Sequence, residues 1–179
     1  MTPNYQADGK RIAYADPPYV GQAKKHYGTA EVNHTLLIAY LQTFDGWALS
    51  CSSSSLVCLL PLCPEARVGA WVKPFCSFKP NVNPAYAWEP VLYQPARRRG
   101  RNVATVRDWV STPITLQKGL VGVKPPKFCY WLFDLLGVEP GDSFEDVFPG
   151  SGAVTKAYDK YIGLAVLRSG QTQPVLVEL

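Results

Sequence analysis

The sequence of 179 residues has little of what metal and disulfide sites are made from. Its five cysteines, Cys51, Cys58, Cys63, Cys76 and Cys129, are odd in number and contain no Cys-x-x-Cys pair, and its two histidines stand apart at His26 and His34. Neither a zinc site nor a disulfide framework is expected. Cys51, Cys58 and Cys129 lie among apolar neighbours, where a cysteine serves as a small hydrophobe rather than a nucleophile. Long hydrophobic runs are also missing. The longest, Leu56 to Cys63, is broken by Pro61 and falls far short of the roughly 20 residues that span a bilayer. The opening MTPNYQADGK lacks the apolar core of a signal peptide. These absences predict a soluble, cytoplasmic protein with no membrane partner. A hydrophobic content of 47% with mixed charge argues against disorder, and the length suits one domain with a proper core.

What the sequence does have centres on Ile12 to Tyr19, IAYADPPY. Ile12, Ala13, Tyr14 and Ala15 read as a short buried strand. Pro17 and Pro18 have no backbone N–H to donate, so the strand must stop at Asp16. Residues just past the carboxyl end of a strand in an open α/β sheet face the crevice where such folds bind ligands. Asp16 and the Pro17 carbonyl can both accept hydrogen bonds from an exocyclic amino group, and the Tyr19 ring can stack on a planar base. Taken alone, the tetrapeptide is equally compatible with an Asp-Pro turn that closes a strand.

A second motif is DVFPGSG, Asp146 to Gly152, preceded by Gly141 and Asp142 and followed by a predicted helix from Ala153 to Tyr158. It reads as strand, glycine turn and helix start, a combination that lets backbone and helix N-terminal N–H groups approach a ligand. The three-glycine dinucleotide fingerprint is absent. DPPY together with D-x-F-x-G-S-G resembles the amino-methyltransferases that use S-adenosylmethionine to methylate adenine or cytosine in nucleic acid. Lys124 and Pro125, the apolar-periodic stretch Phe128 to Leu136, and Pro140-Gly141-Asp142 resemble the lead into the cofactor motif of permuted (β-like) members, in which the catalytic motif comes first.

The resemblance implies an α/β fold: a Rossmann-like methyltransferase sheet, mostly parallel, with an antiparallel edge hairpin and a circularly permuted motif order. Its parts would be a catalytic half (1–95), a basic and variable segment (96–122) and a cofactor half (123–179). It implies Asp16, Pro17, Pro18 and Tyr19 as catalytic residues. It implies that Asp146, Phe148, Gly150, Ser151, Gly152, Lys124, Pro125 and Asp16 hold S-adenosyl-L-methionine, with no metal. DPPY favours adenine in DNA. Cytosine amino groups, adenine in RNA, and a catalytically weak nucleic-acid-binding subunit stand as alternatives, and a homodimer or a separate specificity partner is left open.

The remaining segments read as follows. Glu31 to Phe44 is helical in pattern, Gly46 to Cys51 a strand, and Ser52 to Ser55 a loop capping a helix near Leu56. Val68 to Lys73 and Pro90 to Tyr93 read as the antiparallel pair, with Phe78 and Tyr86 between them as candidates for stacking on a nucleotide. Arg97, Arg98, Arg99 and Arg101 carry the net charge, since without them basic and acidic residues are equal at 14. Such a focused run suits nucleic-acid phosphates, with Lys24 and Lys25 as further candidates. Val103 to Gly122 has no readable period. Tyr161 to Leu167 and Val175 to Leu179 read as a closing antiparallel pair. On that reading Ala165 stands where many relatives carry an acid for the cofactor ribose, with Asp159 or Glu178 as substitutes.

Overall fold

The computed structural model describes residues 9–21, 30–75, 82–100, 103–115 and 123–170. Strand β1 (Arg11–Ala15) is central to the arrangement, and its residues Ile12 to Ala15 have no exposed surface. Alternate side chains of a strand point to opposite faces, so a strand apolar throughout must be covered on both. Ile12 and Tyr14 enter one core and Ala13 and Ala15 the other.

On either side of β1, in parallel, lie β2 (Gly46–Ser50) and β6 (Ser143–Asp146). Strand β4 (Trp88–Gln94) runs antiparallel to β2 and to β3 (Arg67–Val72), and β5 (Trp109–Ser111) pairs in parallel with β3. The sheet order is β5-β3-β4-β2-β1-β6. β4 therefore runs against all the other strands. The expected antiparallel pair is present, with β5 added outside it. Because β4 is reversed, its start lies at the same end of the sheet as the carboxyl ends of β1, β2, β3 and β6, and its finish lies at the other end.

Helix α1 (His34–Leu41) covers one face with Leu37, Ile38 and Leu41. The Asn33 side chain caps it by accepting from Leu36 N–H at 3.1 Å, which makes it shorter than the expected Glu31 to Phe44. A short helix, α2 (Leu56–Leu59), lies between single 3-10 turns. The serine hydroxyls before it do not cap it. Ser52 Oγ instead bonds Ser54 Oγ and Ser55 Oγ at 3.0 and 2.7 Å.

The other face is covered by α3 (Pro126–Leu136) and α4 (Ala153–Gly170). α4 overturns the strand expected at Tyr161 to Leu167. Val154, Ala157, Tyr158, Tyr161 and Ile162 all pack into the same core, at spacings of three and four that continue one helical stripe. A short apolar run does not distinguish strand from helix by itself, and here the preceding turns decide. Ala165 is thus a helix residue and marks no strand end, which removes the basis for a missing ribose acid there. Val175 to Leu179 lies outside the described residues. No helix among the described residues is long and apolar enough to cross a membrane.

Candidate active site

At the carboxyl end of β1 the two prolines turn the chain away and leave Asp16 at the rim, its side chain 24% exposed. Lys124 Nζ lies 3.0 Å from Asp16 Oδ1 and 2.6 Å from Glu89 Oε1, and Glu89 Oε2 lies 2.9 Å from Lys73 Nζ. The four charges balance. Lys124 and Glu89 are both buried, and each ammonium also lies over the Trp71 ring, Lys73 at 4.4 Å and Lys124 at 5.2 Å from its centroid. Tyr14, fully buried beneath Asp16, bonds Ser50 Oγ through its hydroxyl at 2.9 Å.

Burial pushes the Asp16 carboxyl up to about 6, against the pull of Lys124 and with a push from Glu89. Burial would also raise Glu89, but Lys124 and Lys73 outweigh it and hold that group down at about 2. Lys124 is held above its ordinary value: burial works against its charge, and Asp16 and Glu89 overcome it. Burial, Glu89 and Asp16 together raise the Tyr19 phenol far above its usual range. Burial likewise takes Cys51 and Cys129 up to about 12, so both thiols stay protonated.

The glycine loop adjoins this cluster because β6 is the neighbour of β1. Val147 N–H donates to Tyr14 O at 2.9 Å, extending the ladder by one rung past Asp146. Gly150 and Gly152 then adopt φ values of 47° and 70°, a left-handed conformation that side chains disfavour, and the chain turns directly into α4. Asp16, Pro18, Lys124, Phe148, Gly150 and Ser151 line one cavity of about 660 Å³. That is the size of a small-molecule site.

Asp146 stands at the root of the loop. Its Oδ2 accepts from Thr155 Oγ1 at 3.2 Å, the backbone N–H groups of Phe148 and Thr155 face the carboxylate, and its Oδ1 is buried with no hydrogen-bond partner among the described residues. Burial raises this carboxyl, partly offset by Thr155. A buried acceptor left open beside a cavity and a helix N-terminus is suited to a ligand that carries an amino group. The residues present therefore fit a cofactor with a cationic amine and an apolar body lying against Phe148 and Pro18.

The solved structure of M1.HpyAVI in complex with SAM matches with a TM-score of 0.58 at 16% identity, over 86% of this chain and 79% of that one. That of M1.HpyAVI gives 0.56 at 16% identity, over 86% and 77%. The fold matches that of these two structures. At this identity the likeness is one of fold. No protein-family model and no curated protein sequence matches the chain.

Within this fold most of the expected site residues converge. Pro17 is buried behind Asp16, Tyr19 is half-buried within reach of Glu89, Gly152 closes the loop, and Pro125 leads Lys124 into α3. Glu89 and Lys73 were not expected. The signal was present: WEPVLY places an acid inside an otherwise apolar strand, and an acid buried there requires a cationic partner. Among the described residues no group of three His, Cys, Asp or Glu side chains could hold a metal ion.

The arginines are placed differently. Arg97, Arg98 and Arg99 follow the finish of β4, at the opposite end of the sheet from Asp16. Arg97 bonds both oxygens of Asp142 at 2.6 Å and the Gly137 carbonyl at 3.0 Å, and it lies 3.3 Å from Glu139. Asp142 also accepts from the backbone N–H groups of Lys10 and Glu139, both at 2.8 Å, and its side chain has no exposed surface. Arg97 is thereby a structural pin that ties the end of β4 to the entry of β6. Arg99 bonds the Asp134 carbonyl, and Arg98 is exposed. Arg101, Lys24, Lys25 and Phe78 lie outside the described residues.

Proposed function

We propose that the protein transfers a methyl group from S-adenosylmethionine to the exocyclic amino group of adenine in DNA, using the permuted order of motifs. The observation that carries this reading is the meeting of Asp16 and Pro18 with the Phe148 to Ser151 loop on one cavity. When bound, the cofactor supplies an electrophilic methyl group on a sulfonium. The chain does the rest by orientation.

The amino lone pair of adenine is delocalised into its ring and is a poor nucleophile until the nitrogen becomes pyramidal. Asp16 and the Pro17 carbonyl accept one N–H each and favour that geometry, while Tyr19 stacks on the base. The nitrogen would bond the methyl carbon as the carbon–sulfur bond breaks to leave a neutral thioether, and the proton the nitrogen sheds can be taken by a carboxylate with a pKa of about 6 at Asp16. Asp146 Oδ1 would accept from the cofactor amine, and the glycine loop would hold its methionine portion. A base inside a duplex cannot enter such a pocket, so the target is flipped or single-stranded. Tyr86 and Trp88, 67% and 42% exposed at the Asp16 end of the sheet, offer aromatic surface for neighbouring bases.

Incubation with methyl-labelled S-adenosylmethionine and either DNA or RNA, followed by nucleoside analysis, tests the reading. Label in N6-methyladenine from DNA is expected. Label in N4-methylcytosine or only in RNA would change the substrate, and none in either polymer would remove the activity.

A further inference from the structure

We propose that Glu89 is a positioning residue of the site, holding Lys124 away from full engagement with Asp16, so that a strand outside the motif sets the orientation of the substrate-facing carboxylate. The proposal rests on the methyltransferase reading for its purpose but not for its test. Lys124 Nζ is 2.6 Å from Glu89 Oε1 and 3.0 Å from Asp16 Oδ1, so Glu89 is its nearer partner. An ammonium facing Asp16 alone would settle on the carboxylate and compete with the substrate amino group for it. Shared with Glu89, it touches Oδ1 and leaves Oδ2 to the substrate.

Lys73 completes the clamp from the end of β3. Its 2.9 Å contact to Glu89 Oε2 fixes the second oxygen of the carboxylate, and its backbone N–H donates to Ala87 O at 2.8 Å, continuing the β3–β4 ladder. A structural ion pair alone would need only Lys73 and Glu89. The burial of a third charge, Lys124, between Glu89 and the one acid at the cavity rim is the feature that such a role leaves unexplained.

The groups around Asp16 are Lys124 ahead of α3, Glu89 on β4, Lys73 after β3, Tyr14 on β1, and Tyr19. Cys51 after β2 faces Glu89, and Cys129 on α3 faces Lys124. Glu89 is the negative neighbour that raises Asp16, and Lys124 and Lys73 lower it. Removing the Glu89 charge must therefore lower the Asp16 titration, because Lys124 then serves one carboxylate in place of two.

The experiment is a carbon-13 NMR titration of the Asp16 carboxyl in the full chain and in Glu89→Gln, which needs neither cofactor nor DNA. The Asp16 midpoint is expected to fall by about one pH unit in Glu89→Gln. If the two lysines left behind prevent folding, Glu89→Gln/Lys73→Met keeps the cluster neutral, and the fall is expected to be smaller but in the same direction. Where transfer is measurable, the acid limb of kcat/KM should move to lower pH with the midpoint, and kcat should drop about tenfold. S-adenosylmethionine affinity should hold, since Glu89 does not line the cavity. An unmoved Asp16 midpoint in a folded variant overturns the proposal. A wild-type chain without transfer activity would instead remove the methyltransferase reading, with the titration still deciding the role of Glu89.

Discussion

At the scale of single residues, the account turns on the protonation of Asp16. Only the ionised carboxyl gives the amino group a charge-assisted acceptor and can take its proton, and burial places this one at about 6. Transfer is therefore expected to fall as pH drops through about 6, well above the ordinary carboxylate range, and to level off above it. A kcat/KM profile flat down to pH 5 would remove Asp16 as the acceptor. The cofactor side has its own test at Gly152, whose φ of 70° a bulky side chain resists. Gly152→Val should abolish S-adenosylmethionine binding in calorimetry while leaving the far-UV spectrum unaltered. These residues were legible because proline and glycine act locally: two prolines must end a strand, and two glycines next to a helix start must turn. Glu89 and Lys73 carry no such local mark beyond a charge in an apolar strand. Their role depends on Lys124, 35 residues from Glu89 in sequence, and on the sheet that brings the two together.

At the scale of elements, the strand that became part of α4 and the arginine that became a pin have related causes. Tyr161 to Leu167 is apolar enough for either state, and only its register with Val154 and Ala157 on the helical stripe selects one. Arg97 looked free because its partner lies 45 residues away. The pairing joins the end of β4 to the entry of β6 through a carboxylate with no exposed surface. Asp142→Asn should destabilise the fold by about 3 kcal/mol in urea unfolding, since it leaves a largely buried guanidinium with only the exposed Glu139 as its charge partner. The sign of the pH dependence follows from the depressed Asp142 carboxyl, which Arg97 and two backbone donors hold down against burial. A carboxylate lowered by folding stabilises above its ordinary range and loses that contribution as pH falls through the folded value. The gap between wild type and Asp142→Asn should accordingly be widest near neutrality and close in acid. A gap that grew in acid would contradict the pairing.

At the scale of the whole molecule, the sheet separates two ends: Asp16, the glycine loop and the exposed Tyr86 and Trp88 at one, and the arginine segment at the other. With Arg97 committed to Asp142, Arg98 and Arg99 are the described arginines of that segment that remain for phosphates. If both engage duplex DNA, replacing them with alanine should flatten the slope of log affinity against log salt by up to about 1.8. An unaltered slope would place the nucleic-acid surface at the Asp16 end, where Lys24 and Lys25 follow the catalytic turn in sequence. That division was not legible beforehand, because composition locates charge along the chain but not on the sheet. The order of the two motifs and a strand leading into each were legible, the adjacency of the two strands comes from the sheet, and together they support the central claim that one cavity joins a methyl donor to an amino group held by Asp16. The measurement that tests it most directly is made on a single preparation of Asp16→Ala, comparing S-adenosylmethionine affinity by calorimetry with single-turnover methyl transfer to DNA. The account predicts affinity within a few-fold of wild type and transfer slower by about a hundredfold, the loss of roughly 3 kcal/mol from one aligned acceptor. Transfer at the wild-type rate in a folded Asp16→Ala chain would contradict it.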